Sequence, residues 1–164
     1  MAPETPPAAP APPAPLASFD GLAVTAAAVA ATTKRLEKAA LIGAYFKTLD
    51  DQDLPRAARF LAGTPFSLRD QRSLNVGTSL LLGALERLSG QDPARLRARL
   101  VQLGDLGDLA ADVLPPAAPA PLTLAEVQDG LAALASEGGS KRRAALLDAL
   151  LRGQSGEPAR YLVR

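Results

Sequence analysis

The sequence contains no cysteine and no histidine among its 164 residues. Without cysteine the chain has no disulfide, no thiolate nucleophile and no thiolate metal site. Without histidine it lacks the usual general base and the most common metal ligand. It also contains no Walker-type phosphate loop, no GxGxxG dinucleotide motif and no HExxH zinc motif. The sequence therefore predicts no catalytic residue and no metal site in this chain.

Residues that favour β-strands are scarce, since Ile occurs once, Val seven times, and aromatics make up 4%. Ala and Leu, which are strong helix formers, supply most of the 48% hydrophobic content. This composition predicts an all-α fold, and the length suits one domain with a substantial core. The formal net charge is only +1, so any basic surface must come from local clustering of cations.

The beginning of the chain differs in composition from the rest. Residues 1–15 contain seven prolines and almost no large apolar side chain, which predicts a disordered Pro/Ala-rich tail, more plausibly an inert leader than a tether to partners. No positively charged segment precedes an apolar run, as a signal peptide would require. The longest small-apolar run, Val24–Ala31, is much shorter than the roughly 20 residues of a membrane span. We expect a cytoplasmic protein without a membrane partner.

From residue 16 onward the apolar spacing predicts about eight or nine short helices, arranged as an orthogonal bundle of two small lobes. The first helices are expected over about Ser18–Thr32 and Thr33–Leu49, and a short one ends at Gly63. Residues 64–72 are expected to form a loop. The buried face of the second helix is expected to carry Leu36, Ala39, Ala40, Phe46 and Leu49.

Start and stop signals set the later helices. Ser73 is expected to cap a helix that carries Gly77 in its first turns and stops at Gly90. Further starts are expected at Asp92–Pro93, at the capping box of Thr123 with Glu126, and at Ser140 as a cap. The break from Pro115 to Pro121 is expected to be a hinge or surface crossing between the lobes.

Three carboxylates, Asp105, Asp108 and Asp112, fall near one face of a predicted helix. Such a set can bind a metal or act in acid–base chemistry. Near a helix N-terminus, acidic residues more often complement the helix dipole or face solvent. We favour this second interpretation.

Two segments could contact phosphate. Gly138–Arg143 places a glycine turn, a hydroxyl and three cations at a helix N-terminus, where free amides favour an anion. On residues alone, an ordinary glycine turn with solvated cations is the stronger interpretation. Asn75–Gly77 follows Arg69 and Arg72, and its glycine fits close helix packing as well as close approach of a sugar–phosphate backbone. The residues do not decide between these alternatives.

Six segments in order resemble the N-terminal domain of ATP-dependent DNA ligases, and together they extend over about residues 18–164. They are Phe60–Phe66 (FLAGTPF), Leu74–Gly77 (LNVG), Leu103–Ala110 (LGDLGDLA), Thr123–Val127 (TLAEV), Gly139–Lys141 (GSK) and Glu157–Arg164 (EPARYLVR).

The resemblance implies a helical domain that grips nicked duplex DNA through the minor groove and the sugar–phosphate backbone, independently of sequence. It implies a role in repair, replication or recombination and a monomeric state. It also implies that the protein associates with the bacterial nucleoid while it acts. The DNA-binding residues it favours are Arg72, Asn75, Gly77, Thr78, Gly139, Ser140, Lys141, Arg142 and Arg164.

In that family the next domain carries a Lys-x-Asp-Gly motif whose lysine takes AMP from ATP, and an OB-fold domain completes the clamp. ATP and Mg²⁺ are therefore expected to be bound in cis by those domains, and this chain, which has no Lys-x-Asp-Gly, should not ligate alone. We expect residues 16–164 to form the DNA-binding domain, shortened at its C-terminus. The alternative is a helical protein–protein interaction module that does not bind DNA.

Overall fold

The computed structural model describes residues 17–116 and 121–164. These residues form nine helices and no β-strand beyond one isolated bridge between Ser18 and Thr123, which confirms the all-α prediction for the described part of the chain. The helices are α1 (Phe19–Ala31), α2 (Arg35–Phe46), α3 (Asp53–Leu61), α4 (Thr78–Ser89), α5 (Pro93–Leu103), α6 (Leu106–Val113), α7 (Leu124–Ser136), α8 (Ser140–Leu151) and α9 (Gly156–Val163). No described helix is long and apolar enough to cross a membrane.

Short polar side chains begin several helices by accepting hydrogen bonds from otherwise unpaired amides. The Asp92 carboxylate accepts from the amides of Ala94 and Arg95 at the start of α5, where Pro93 occupies the first turn. Thr123 and Glu126 form the expected capping box of α7. Both helix starts confirm the sequence predictions.

The buried side chains fall into two clusters. The first lobe consists of α1–α3 and the beginning of α7, and its buried residues are Phe19, Leu22, Tyr45, Ala57, Leu124 and Val127. The second lobe consists of α4, α5, α6 and α8 together with the end of α7, and its largest fully buried side chains are Leu85, Leu96, Leu109, Leu134 and Leu151.

Helices α7 and α9 connect the two lobes, because Leu131 and Leu162 pack against both clusters. The chain also returns to its beginning at α7, since the Phe19 amide donates to the Leu122 carbonyl at 2.7 Å. The expected hinge or crossing lies partly outside the described residues, at 117–120. Before this break, α6 belongs to the second lobe. After it, the start of α7 pairs with the start of α1 in the first lobe.

The contact between α6 and α9 is close at Gly107. A Cβ atom placed there would lie 2.6 Å from the Arg160 carbonyl oxygen and 2.9 Å from Cγ of Arg164. A glycine at this position therefore allows the backbone of α6 to approach the backbone of α9.

The expected disordered tail, residues 1–15, lies outside the described residues.

The predicted buried face of the second helix is wrong. Leu36 is 85% exposed, and Ala39 and Ala40 are also exposed. In α2 only Tyr45 is fully buried, while Phe46 and Leu49 pack at the edge of the first cluster. The reason is that α2 lies at the outside of the first lobe with α1 as its main neighbour, so its N-terminal half has nothing to cover it.

Two predicted helix starts are also displaced. Ser73 does not cap α4, which begins at Thr78 with Gly77 as its cap residue. Asn75 has a left-handed φ of 48°, a conformation that an α-helix does not accommodate. In α8 the cap residue is Gly139, and Ser140 is the first helical residue.

Candidate nucleic-acid interface

Helices α4 and α8 lie side by side and run in the same direction. Near their C-terminal ends, Arg87 of α4 binds Asp148 of α8, with Nε to Oδ2 at 2.8 Å. At the opposite end, Arg143 in the first turn of α8 binds the segment that precedes α4. The N-termini of both helices are therefore on the same side of the second lobe.

The Arg143 guanidinium joins the two segments predicted to contact phosphate. Its Nη1 donates to the carbonyl oxygens of Leu134 and Glu137, each at 3.1 Å. Its Nη2 donates to the carbonyl oxygens of Leu74 and Asn75, the latter at 2.9 Å. The Arg143 side chain thus binds both the segment before α4 and the end of α7 that leads into α8.

The start of α4 is open to an incoming group. Gly77 and Thr78 are exposed, the cap residue supplies no side-chain hydrogen bond, and a Cβ atom on Gly77 would meet nothing within 4 Å. The first amides of a helix have no partner within the helix, and the dipole adds partial positive charge there. The exposed Asn75 presents its side chain two residues earlier.

The start of α8 has the same character with added positive charge. Gly139, Ser140 and Lys141 are exposed, and the cap residue has no side-chain hydrogen bond. Within residues 17–116 and 121–164, no ion pair involves Lys141. Arg142 is 83% exposed and only loosely paired with Glu137 at 3.9 Å. We name the surface formed by Asn75, Gly77, Thr78 and 139–142 the paired N-termini.

Glu137 partly opposes an anion at this surface. Its Oε1 accepts a hydrogen bond from the Gly139 amide at 2.8 Å, so that amide is occupied in this conformation. The adjacent Lys141 and Arg142 offset the carboxylate charge. An incoming phosphate would meet the remaining first-turn amides of α8 and these two cations.

Arg72 adjoins this surface but is already engaged. Its Nη2 lies 2.6 Å from the Asp70 carboxylate, its Nη1 donates to Ser136 at 3.3 Å, and its guanidinium lies 4.8 Å from the ring centre of Phe66. The hydrogen bonds from Arg72 lower the pKa of Asp70 below its ordinary value. The structure therefore gives Arg72 a role in holding the loop before α4.

Arg164 lies in a different cluster, at the contact between α6 and α9. It binds Asp105 at 3.1 Å and Asp108 at 2.9 Å, and Asp108 also pairs with Arg160 at 2.7 Å. Its partners in the described part of the chain are Asp105, Asp108 and the ring of Tyr161, none of which belongs to the start of α4 or α8. Eight of the nine predicted contact residues are thus near Arg143, counting Arg72, and Arg164 is apart.

The acidic residues of α6 are structural in this conformation. Asp105 accepts from the Asp108 amide as the cap of α6, and Asp112 pairs with Arg99 at 2.7 Å. No group of three or more acidic residues in the described part of the chain could hold a metal ion.

Comparison with known proteins identifies the family. The family described as "DNA ligase N terminus" matches residues 18–164. The chain belongs to this family. A "Probable DNA ligase" of Koribacter versatilis is 34% identical over 145 residues, covering 87% of this chain and 25% of the relative. A "DNA ligase" of Archaeoglobus fulgidus is 32% identical over 138 residues, covering 79% and 25% respectively.

A further "Probable DNA ligase", from Opitutus terrae, is 38% identical over 97 residues, covering 59% of this chain and 10% of the relative. This ligase N-terminal chain therefore spans about a quarter or less of the length of these relatives. The six segments that resembled ligases all lie within the matched range.

One residue of this ligase N-terminal domain was missed as a site residue. Arg143 was grouped with Lys141 and Arg142 as one of three cations at a helix start, with no separate role. The sequence did contain a signal, because Arg143 precedes Leu147 by four residues and Leu150 by seven, and so lies on the apolar side of α8. Its carbonyl partners lie up to 69 residues away, and sequence spacing does not reveal such contacts.

Proposed function

We propose that this chain binds nicked double-stranded DNA, independently of sequence, as the non-catalytic N-terminal part of an ATP-dependent DNA ligase. The observation that carries the proposal is the pairing of two exposed helix N-termini on one side of a chain that belongs to the DNA ligase N-terminal family. DNA ligases must act at any sequence, so contacts to phosphate and sugar suit the task better than contacts to base edges.

The chemistry of the paired N-termini supports this assignment. Helix amides and dipoles attract phosphate without distinguishing bases, and Lys141 and Arg142 add charge that is not neutralised by a close carboxylate. Small residues such as Gly77 and Gly139 let a sugar–phosphate backbone come near the protein backbone. In this proposal Asn75, Thr78 and Ser140 donate side-chain hydrogen bonds, and Arg72 acts indirectly.

The proposal places ligation itself elsewhere. The chain has no Lys-x-Asp-Gly motif, so adenylation by ATP with Mg²⁺ would be performed by other domains of the same ligase. In repair, replication or recombination, this domain would hold the duplex while those domains act on the nick. We propose that it works as a monomer, in the cytoplasm and on the nucleoid.

The test is a fluorescence-anisotropy titration of nicked, intact and single-stranded oligonucleotides at about 50 and 200 mM salt. We expect binding to duplexes that weakens steeply with salt, because phosphate contacts release counterions. The variant Ser140→Glu/Lys141→Glu should lose this binding, since it places two carboxylates at the start of α8.

A matched control is Ala94→Glu/Arg95→Glu. It makes the same change in net charge on exposed residues in the first turn of another helix, α5, and should retain affinity. If a chain that circular dichroism shows to be folded binds no DNA, the proposal is wrong. That result would favour the protein-interaction alternative, for which the exposed Leu36 side of α2 is one apolar surface among the described residues.

A further inference from the structure

The two terminal nitrogens of the Arg143 guanidinium bind two different segments of the chain. Nη1 serves two carbonyl groups at the end of α7, and Nη2 serves two carbonyl groups in the segment before α4. A guanidinium is a planar fork with donors at fixed angles, so it can hold two segments at a fixed separation. A lysine ammonium is a single point on a flexible stem and cannot hold both pairs in this way.

The groups that Arg143 binds have no regular partners of their own. The Leu134 carbonyl belongs to the last turn of α7, where helix carbonyls are unpaired and a cation is favourable. The segment before α4 has no helix or strand from residue 64 to residue 77, and Asn75 is in the left-handed region. Arg143 therefore links this segment to α8 by hydrogen bonds, alongside the packing of Leu74 and Val76 on the second core cluster.

We propose that Arg143 is a positioning residue that aligns the starts of α4 and α8, so that they contact the DNA backbone as one surface. This inference rests on the proposed function and extends it, because it assigns part of the geometry of the paired N-termini to a side chain that does not contact DNA. Two N-termini in a fixed relation bind neighbouring phosphates without an ordering cost at the moment of binding.

The test compares Arg143→Met and Arg143→Lys with the control Arg97→Met, which removes one exposed arginine of α5. Affinity for a nicked duplex is measured by anisotropy at about 50 and 200 mM salt. Both Arg143 variants should bind about ten-fold more weakly, and Arg97→Met should bind like the unmodified chain. If Arg143→Met does not fold, Arg143→Lys answers the question, since it keeps the charge and can still bind one pair of carbonyl groups.

A distance measurement separates alignment from a direct phosphate contact. Because the chain has no cysteine, spin labels attach only at introduced sites, and Gln71→Cys with Gly138→Cys places one exposed label on each segment. Double electron–electron resonance should give a narrow distribution of label-to-label distances when Arg143 is present. It should give a broad one in both Arg143 variants, with unchanged helix content by circular dichroism.

The outcomes distinguish this inference from the function on which it rests. Full affinity in Arg143→Lys with loss in Arg143→Met would overturn it, because that pattern is expected of a cation that contacts phosphate directly. An unchanged distance distribution in both variants would also overturn it. Failure of the unmodified, folded chain to bind any duplex would instead overturn the proposed function, and this inference with it.

Discussion

Replacing Gly107 by alanine is expected to destabilise the fold, although the same substitution inside a helix is ordinarily favourable. Alanine gains about 0.5–1 kcal/mol over glycine in a helix interior. At this position the added methyl carbon would lie 2.6 Å from the Arg160 carbonyl oxygen, well inside contact distance. A backbone oxygen in α9 cannot rotate away as a flexible side chain could, so α6 and α9 must separate.

The size of the effect follows from these two terms. Overpacking typically costs about 1–3 kcal/mol, which exceeds the helix-propensity gain, and we expect a net loss of about 1–2 kcal/mol. For a domain of this size, such a loss lowers Tm by about 2–8 °C. Gly43→Ala is the matched control, because it lies inside α2 and its Cβ atom would meet nothing within 4 Å. It should raise Tm by a few degrees.

Thermal and urea unfolding followed by circular dichroism measure both variants against the unmodified chain. The informative quantity is the sign of the difference between two identical substitutions. If Gly107→Ala is as stable as Gly43→Ala, the close approach of α6 to α9 does not exist in solution. The reasoning about their contact would then be wrong.

Two further predictions concern packing and pH. Leu85→Ala should lower the free energy of unfolding by about 2–5 kcal/mol because Leu85 is fully buried. Leu36→Ala should change it by less than about 0.5 kcal/mol because Leu36 is 85% exposed. Urea unfolding measures both variants, and a larger loss for Leu36→Ala than for Leu85→Ala would contradict the assigned core. The Arg99 side chain lowers the pKa of Asp112 below 3.8. A carboxylate whose pKa is lower in the folded state stabilises the fold at pH above its unfolded-state pKa. This stabilisation is lost as pH falls through the folded-state pKa. The stability difference between the unmodified chain and Asp112→Asn should therefore shrink as pH falls from about 5 to 2, and a difference that grows would contradict the ion pair.

Local signals in the sequence were sufficient for most of the helices. Asp92 with Pro93, the Thr123 capping box and the stop at Gly90 each depend on residues within one turn of the helix end. Such interactions are independent of the rest of the fold. They therefore allowed the helix order, the all-α class and most boundaries to be predicted.

The errors occurred where distant contacts decide the local structure. The apolar spacing of α2 gave a correct helix, but it could not indicate that no other element would cover Leu36. The start of α4 was placed too early because Asn75 takes a left-handed conformation and its carbonyl binds Arg143 from far along the chain. The pairing of the two segments of the candidate site could not be predicted for the same reason. Each segment was identified separately, and their pairing involves contacts of Arg143 with residues far along the chain.

The connection between α7 and the start of the chain has a consequence for folding during synthesis. Phe19 and Phe60 of the first lobe pack with Leu124 and Val127, which are translated more than 60 residues after α3 ends. At about 5–20 residues per second, the apolar sides of α1–α3 wait several seconds for these partners. During that interval the apolar surface that α1–α3 share with α7 has no partner, so the first lobe completes its core only after α7 has left the ribosome.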